Sequence, residues 1–253
     1  MKSNYKKLPT VKLRADGLRH AIKSWRPGYF LEFGAGTGLL TTLFLDYGYT
    51  GVCYDLNSYN VALINENLAE YKNKILATDN LEEISTKSFD YIFAFDVIEH
   101  IEQDEATLKL WLSYLKPNGK VLISVPAHMK KFGEKDVIMG HYRRYEKRVI
   151  ENLLMNSGCK NVKIICYGFP LLNVTGFVID ILYKLMRKGE QYRNLSCTER
   201  SIKSGIETPG IARQLSFLFN DVIIFPFKMI QRLFFKKDIG AAYIVSAEYP
   251  GPK

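Results

Sequence analysis

The sequence predicts an α/β fold built on an open, mostly parallel sheet. Three observations carry that prediction. Residues 29–42 run from a short apolar stretch through three glycines, Gly34, Gly36 and Gly38, into a helical pattern with Leu39, Leu40, Leu43 and Phe44 apolar. Such a strand, glycine loop and helix start form a nucleotide-binding βα unit, because a bound cofactor approaches the backbone more closely than a Cβ would permit. Asp55 closes the next apolar run twenty-one residues after Gly34, the spacing at which a strand-tip carboxylate accepts both ribose hydroxyls of a nucleotide. Residues 91–95 are a continuous apolar run, as in a parallel strand covered on both faces.

Residues 1–12, with Pro9 and scattered lysines, read as a loose lead-in. Over 14–25 the apolar Ala15, Leu18, Ala21, Ile22 and Trp25 recur at three- and four-residue steps, which predicts an amphipathic helix ended by Arg26-Pro27-Gly28. The first strand is 29–33 and the first helix of the glycine-loop unit 37–46. Gly48 and Gly51 bracket the turn into the second strand, 52–55. A competing reading of Asp55 has it capping the helix that starts near Ser58. That helix is expected over 58–71 and a third strand over 74–78, ending in Asp79 and Asn80. Beyond the fourth strand stand Asp96, Glu99 and His100, at the tip where open α/β sheets bind ligands. A helix is expected over 103–115, a turn at Lys116-Pro117-Asn118-Gly119 and a fifth strand over 120–125. Then follow a helix over 147–156 stopped by Ser157-Gly158, a sixth strand over 161–167 and a final strand over 241–249.

The glycine loop has the form E-x-G-x-G-x-G, with Glu32 two positions before Gly34. Leu39 stands where a dinucleotide fingerprint needs its third glycine, which disfavours a nicotinamide dehydrogenase. With Asp55, the string Asp96-Val97-Ile98-Glu99-His100 and the phrase Leu115-Lys116-Pro117-Asn118-Gly119-Lys120 in order, residues 28–126 resemble the class I S-adenosylmethionine (SAM) methyltransferases. The resemblance implies a Rossmann-like, seven-stranded, mostly parallel sheet whose last strand runs antiparallel between the fifth and sixth. It implies SAM as cofactor, held along Glu32, Gly34, Gly36, Asp55 with Leu56, Asp79 or Asn80 and Asp96. Glu32 would lie near the amino-acid end of the cofactor and Asp79-Asn80 near its adenine.

Residues 127–145 are too long for a simple strand-to-helix connection and carry His128 and His141. The run Asp136-x-x-x-Gly140-His141-x-Arg143-Arg144-Tyr145 resembles a signature of methyltransferases encoded among cell-surface glycan and lipid biosynthesis enzymes. Methyl transfer requires alignment of a nucleophile and exclusion of water. A hydroxyl or ammonium acceptor must also lose a proton, so His141 is the candidate base and His128 the second choice. Arg143 and Arg144 are candidates to clamp a phosphate or carboxylate, with Tyr145 helping to place the acceptor. The alternative pairs the two arginines with Asp136, Glu134 or Glu146, pinning the loop. Asp96, Glu99 and His100 carry metal-binding groups, but adjacent Glu99 and His100 do not share a helical face, so no metal is expected.

The net charge is +9, divided as +7 over 1–26, −8 over 27–127 and +10 over 128–253. Basic segments flanking an acidic cofactor half suit an anionic partner. The four cysteines, Cys53, Cys159, Cys166 and Cys197, have no C-x-x-C spacing and read as reduced thiols of a cytoplasmic protein; no signal peptide is expected. One domain is expected over 1–253, with a core of 14–167 and 241–249 and a helical insertion over 168–240. The apolar stretch 164–183 contains Gly168, Pro170, Gly176 and Asp180 and begins as a strand, so it is not read as a transmembrane helix. A helix is expected over 173–186, a polar, basic, lid-like part over 187–214 and an apolar stretch with basic residues over 215–235. The insertion suits a lid, an oligomer interface or a peripheral contact with the inner face of a membrane. The expected activity is SAM-dependent methylation of a hydroxyl or amine on a small or lipid-linked, anionic metabolite. RNA or protein methylation, and SAM binding without catalysis at a membrane, are the alternatives. Nucleic acid is disfavoured because the fourth-strand tip reads Asp-Val-Ile-Glu rather than an Asn-Pro-Pro-Tyr type tetrapeptide.

Overall fold

A computed structural model of the chain describes residues 8–84, 89–186, 192, 195–196, 199–200 and 220–252. Its sheet has seven strands in the order β3-β2-β1-β4-β5-β7-β6. Strands β1 (Tyr29–Phe33), β2 (Thr50–Tyr54), β3 (Ile75–Thr78), β4 (Phe89–Phe95) and β5 (Leu115–Pro126) run parallel. The last strand, β7 (Ala242–Tyr249), lies antiparallel between β5 and β6 (Lys160–Tyr167), as expected. The α-helices whose limits lie within the described residues are α1 (Pro9–Ala21), α2 (Thr41–Asp46), α3 (Ser58–Asn67), α4 (Asp104–Leu112), α5 (Glu134–Met139), α6 (Lys147–Asn156), α7 (Leu171–Leu185) and α8 (Asp221–Phe234).

Helices cover both faces, so the central strands are apolar on both sides. On one face Leu31, Ile92 and Ile123 pack with Trp111 of α4 and Leu154 of α6. On the other, Phe30, Phe93, Leu122 and Ile244 pack with Leu18 of α1, Phe44 of α2 and Ile224 of α8. Phe93 stacks on Phe44 at 4.2 Å and on Phe30 at 5.3 Å between ring centroids. Because alternate strand residues face opposite layers, Leu31 and Phe33 go to the first cluster and Phe30 to the second, while Glu32 turns to Thr41 of α2.

Element limits shift for local reasons. The lead-in is shorter than expected, because helix α1 begins at Pro9, whose missing N–H costs nothing in a first turn. Helix α2 starts at Thr41 rather than at residue 37, because Gly34, Gly36 and Gly38 all take positive φ and hold an irregular loop. Helix α3 stops at Asn67, and Ala69–Tyr71 continues as a 3₁₀ turn. Of the basic stretch expected as a lid over 187–214, Arg200 is among the described residues, whereas Arg187, Lys188, Arg193, Lys203 and Arg213 lie outside them.

The two described helices of the insertion are each apolar on two faces. Helix α7 buries Leu172 and Tyr183 and exposes Val174, Phe177, Val178, Ile181 and Leu185. Helix α8 buries Ile224 and Gln231 and exposes Val222, Phe225, Met229 and Leu233. It is locked onto α1: Gln231 accepts the Gly168 N–H (3.1 Å) and donates to the Leu13 carbonyl (3.1 Å) and to buried Asp16 (2.9 Å). Arg232 pairs with the same Asp16, and Lys12 of α1 with Asp221 at 3.0 Å. No described helix is long and apolar enough to cross a membrane.

Candidate active site

The C-terminal tips of β1, β2, β3 and β4 form the floor of the site. Tyr54 O accepts from the Gly34 N–H (2.8 Å) and the Ala35 N–H (3.2 Å), which curls the glycine loop over the β2 tip. Asp55 Oδ2 accepts from the Gly36 N–H at 2.8 Å, and Oδ1 from the Asn57 N–H and Asn60 Nδ2 at 3.0 Å each. The cap of α3 is Asn57, whose side chain accepts from the Tyr59 N–H at 3.0 Å, so the capping alternative for Asp55 falls to its neighbour. A Cβ on Gly34 would strike Val97 at 2.6 Å, whereas one on Gly36 would meet nothing within 4 Å. Gly34 is thus required by packing, and Gly36 faces open space. Leu56, 79% exposed, stands beside this opening, and Asp79 and Asn80 are exposed at the β3 tip. Asn80 Oδ1 accepts from the Glu82 N–H at 2.9 Å.

Glu32 lies beneath the loop, buried, accepting from Thr41 Oγ1 at 2.7 Å. Asp96, at a φ of +56°, accepts from Ser124 Oγ at 2.9 Å and is gripped by the Arg14 guanidinium. Arg14 also donates to the Tyr167 hydroxyl at 2.9 Å, so α1 and β6 brace the β4 tip.

The 127–145 segment folds back over that tip. Asp136 is the buried hub: His141 Nδ1 lies 2.7 Å from Oδ1, and Arg144 Nε donates to both carboxylate oxygens at 2.9 Å. His141 Nε2 is directed to the opposite side, 4.0 Å from Glu99 Oε1, and the His100 ring meets the His141 ring edge-on at 4.7 Å. The Tyr142 N–H anchors the loop to the Glu99 carbonyl at 2.9 Å. Arg143 donates to Asp104 (2.8 Å) and to the Glu102 carbonyl (2.7 Å), and the buried Tyr145 hydroxyl to Asp104 (2.9 Å). Arg144 therefore takes the loop-pinning partner Asp136, and Arg143 takes one outside the expected set. His128, the second-choice base, stands apart from this cluster between Glu146 (3.5 Å) and Asp238 (3.6 Å).

A family model described as a methyltransferase domain matches residues 10–164, more than half of the chain. The chain belongs to this methyltransferase family. S-adenosylmethionine is the cofactor, and the cradle fits it: Gly36 leaves room at the loop, and Asp55 and Leu56 border the opening. The ubiquinone biosynthesis O-methyltransferase of Rickettsia canadensis is 29% identical over 114 residues, 44% of this chain and 48% of its own length. Phosphoethanolamine N-methyltransferase 2 of Caenorhabditis elegans is 33% identical over 135 residues, 51% of this chain and 30% of its own length. The fold matches that of Haemonchus contortus phosphoethanolamine N-methyltransferase 2 in complex with S-adenosyl-L-methionine, with a TM-score of 0.58, 18% identity and coverage of 94% of this chain and 52% of that one. The chain thus spans about half or less of the length of these relatives.

The electrostatics of the methyltransferase site divide its acids into two kinds. Burial pushes the Asp136 carboxyl up, but hydrogen bonds from His141 and Arg144 and the charge of Arg144 outweigh it and hold it at about 2. Glu32 is pushed up to about 7 by burial, with Thr41 pulling the other way. Glu99 is raised well above the usual carboxylate range by burial and then by the Asp96 charge. Burial and the neighbouring His141 lower His100 to about 4. Both Glu99 oxygens and His100 Nδ1 are buried without a hydrogen-bond partner. Although adjacent Glu99 and His100 do not share a helical face, the 3₁₀ turn Ile98–His100 and the returning loop bring Glu99, His100 and His141 ligand atoms within 4.8 Å of one another. Among the described residues, these three are the side chains at the methyltransferase site grouped closely enough to hold a cation.

Sequence reasoning missed Arg14, Ser124, Tyr167 and Asp104. Arg14 stands at the first position of the helix expected over 14–25, but nothing local singles it out. Asp104 sits at the start of α4, where it reads as an ordinary helix-terminal acid.

Proposed function

We propose that this chain transfers a methyl group from SAM to a hydroxyl or amine of a small or lipid-linked, anionic acceptor, with His141 as general base. The observation that carries the reading is the Asp136–His141 pair over the β4 tip. An ionised Asp136 against Nδ1 fixes the tautomer in which Nδ1 carries the proton and Nε2 is the acceptor. Nε2 then takes the proton that the acceptor hydroxyl or ammonium gives up, and Asp136 stabilises the resulting imidazolium. When bound, SAM supplies an electrophilic methyl group on a sulfonium. Glu32, Gly34, Gly36, Asp55, Leu56, Asp79, Asn80 and Asp96 are the residues proposed to hold it, and Arg14 and Ser124 hold Asp96 in place. Arg144 acts through Asp136, and Arg143 and Tyr145 through Asp104; all three are positioning residues that fix the loop carrying the base.

The acceptor class rests on the basic flanks of the chain and on the names of its relatives, one of which methylates phosphoethanolamine and the other acts in ubiquinone biosynthesis. Peripheral membrane contact is part of the same proposal. A helix apolar on opposite faces needs a second apolar medium. The outward stripe of α8 ends beside exposed Lys236 and Lys237, which suits an anionic bilayer surface, while Lys184, Lys228 and Arg232 are paired with Asp180, Asp221 and Asp16. The test is transfer of labelled methyl from SAM to a panel of phosphorylated small molecules and lipid-linked intermediates. Turnover that falls about 10²- to 10⁴-fold in His141→Ala, with SAM affinity retained, supports the reading. Unchanged turnover in that variant removes His141 as base.

A further inference from the structure

A second cluster of ligating side chains lies away from the candidate active site, where the loop leaving β5, the end of β6 and the segment entering β7 meet. His128, Cys166 and Asp238 offer ligand atoms that all lie within 4.8 Å of one another. His128 is 5% exposed, and its Nε2 is buried without a hydrogen-bond partner, 3.6 Å from Asp238 Oδ1. Nδ1 faces Glu146 Oε2 at 3.5 Å, and Glu146 is itself held by the Met129 N–H at 2.9 Å. Cys166 is a buried free thiol whose sulfur accepts the Gly240 N–H at 3.0 Å. Asp238 Oδ1 accepts from the Tyr243 hydroxyl at 2.5 Å, and its side chain is 43% exposed. The Lys131 ammonium donates to the Gly240 carbonyl at 2.6 Å.

Each candidate ligand has the outer support that metal sites use. A carboxylate faces the far nitrogen of the imidazole, a backbone N–H meets the sulfur, and a phenol holds the carboxylate. One nitrogen, one sulfur and one oxygen form a three-ligand set with a tetrahedral preference, and the exposed side of Asp238 leaves the fourth position to water.

We propose that His128, Cys166 and Asp238 bind a zinc-class divalent cation. Binding releases one proton: the Cys166 S–H ionises as the metal–sulfur bond forms, while neutral His128 and ionised Asp238 donate lone pairs. The three ligands are 38 and 72 residues apart in sequence. The cation would therefore staple together the two roots of the inserted segment, Cys166 before α7 and Asp238 after α8, and the loop that leaves β5. The proposal does not rest on methyl transfer.

The test uses the full chain, freed of metal with a chelator and titrated with Co²⁺ as a spectroscopic stand-in for zinc. The proposal expects one Co²⁺ per chain with tetrahedral d–d bands and a thiolate-to-cobalt charge-transfer band, displaced by Zn²⁺. Cys166→Ser should abolish the charge-transfer band. The partly exposed Asp238→Asn, the variant least prone to misfolding, should weaken binding about 10-fold or more. Circular dichroism checks that each variant is folded. Absence of Co²⁺ binding, a spectrum lacking the sulfur band, or the same spectrum in folded Cys166→Ser would overturn the proposal. Binding confined to Glu99, His100 and His141, which offer no sulfur and whose signal would vanish in His141→Ala, would overturn it too.

Discussion

Asp136 shares its charge between His141 and Arg144, so its protonation bears on stability as well as on the proposed base. Its pKa is held at about 2 in the folded chain against an ordinary 3.8. The folded state therefore binds the proton less tightly than the unfolded one, so stability gained above pH ~4 is lost as pH falls toward 2, about 2 kcal/mol in all. Glu32 has the opposite sign. Its pKa is raised from 4.5 to about 7, so the folded state holds the proton more tightly, and stability falls by about 3 kcal/mol as pH rises through that window. Denaturant titrations of the wild type and Glu32→Gln between pH 4.5 and 7.5 test this; the variant should flatten the slope, and an identical slope would mean that Glu32 does not titrate there. Asp136→Asn puts an amide beside Nδ1 and frees the imidazole to take the wrong tautomer. Turnover should fall about 10²- to 10⁴-fold in a methyl-transfer assay, with SAM affinity nearly unchanged. At this scale the sequence singled out Gly34, Gly36, Asp55 and His141 as candidates, because spacing within one βα unit or one loop is local. Arg14 and Asp104 escaped it because their partners, Asp96 and Arg143, are 82 and 39 residues away.

Among the elements, α8 is seated on α1 by a buried amide, Gln231, beside the Arg232–Asp16 and Lys12–Asp221 ion pairs. Gln231→Leu keeps the volume but leaves the Gly168 N–H without its partner, removes the added donor to the helical Leu13 carbonyl and deprives buried Asp16 of one donor. An expected loss of about 2 kcal/mol, read by denaturant unfolding, follows from unsatisfied buried polar groups. A loss within about 0.5 kcal/mol would mean that water replaces the amide. The outward stripes make a separate prediction. Phe225→Ser and Leu233→Ser together should weaken sedimentation with anionic vesicles about tenfold or more, with the fold intact by circular dichroism. Equal sedimentation would contradict membrane contact through α8. The strands and most helices were legible from apolar period and turn residues. The seat of α8 on α1 was not, because that contact joins residues more than 200 positions apart, such as Asp16 and Arg232.

Across the whole molecule, an acidic cofactor-binding half sits between basic segments, and the N-terminal helix and the inserted helices α7 and α8 share one face of the sheet while α4 and α6 cover the other. The sheet was readable in full once Glu32, the glycine loop, Asp55 and the β4 tip fell in order. The acceptor was not, because acceptor contacts come from loops and insertions that obey no period. The central claim is that SAM sits across the tips of β1 to β4, and calorimetric titration with SAM and S-adenosylhomocysteine, with NAD as control, tests it most directly. Saturable binding of both sulfur nucleotides, no binding of NAD, and about tenfold or greater weakening in Asp55→Ala are the predicted results, since a ribose loses its charged hydrogen-bond acceptor. Binding of NAD in their place, or affinity for SAM that is indifferent to Asp55, would contradict the claim.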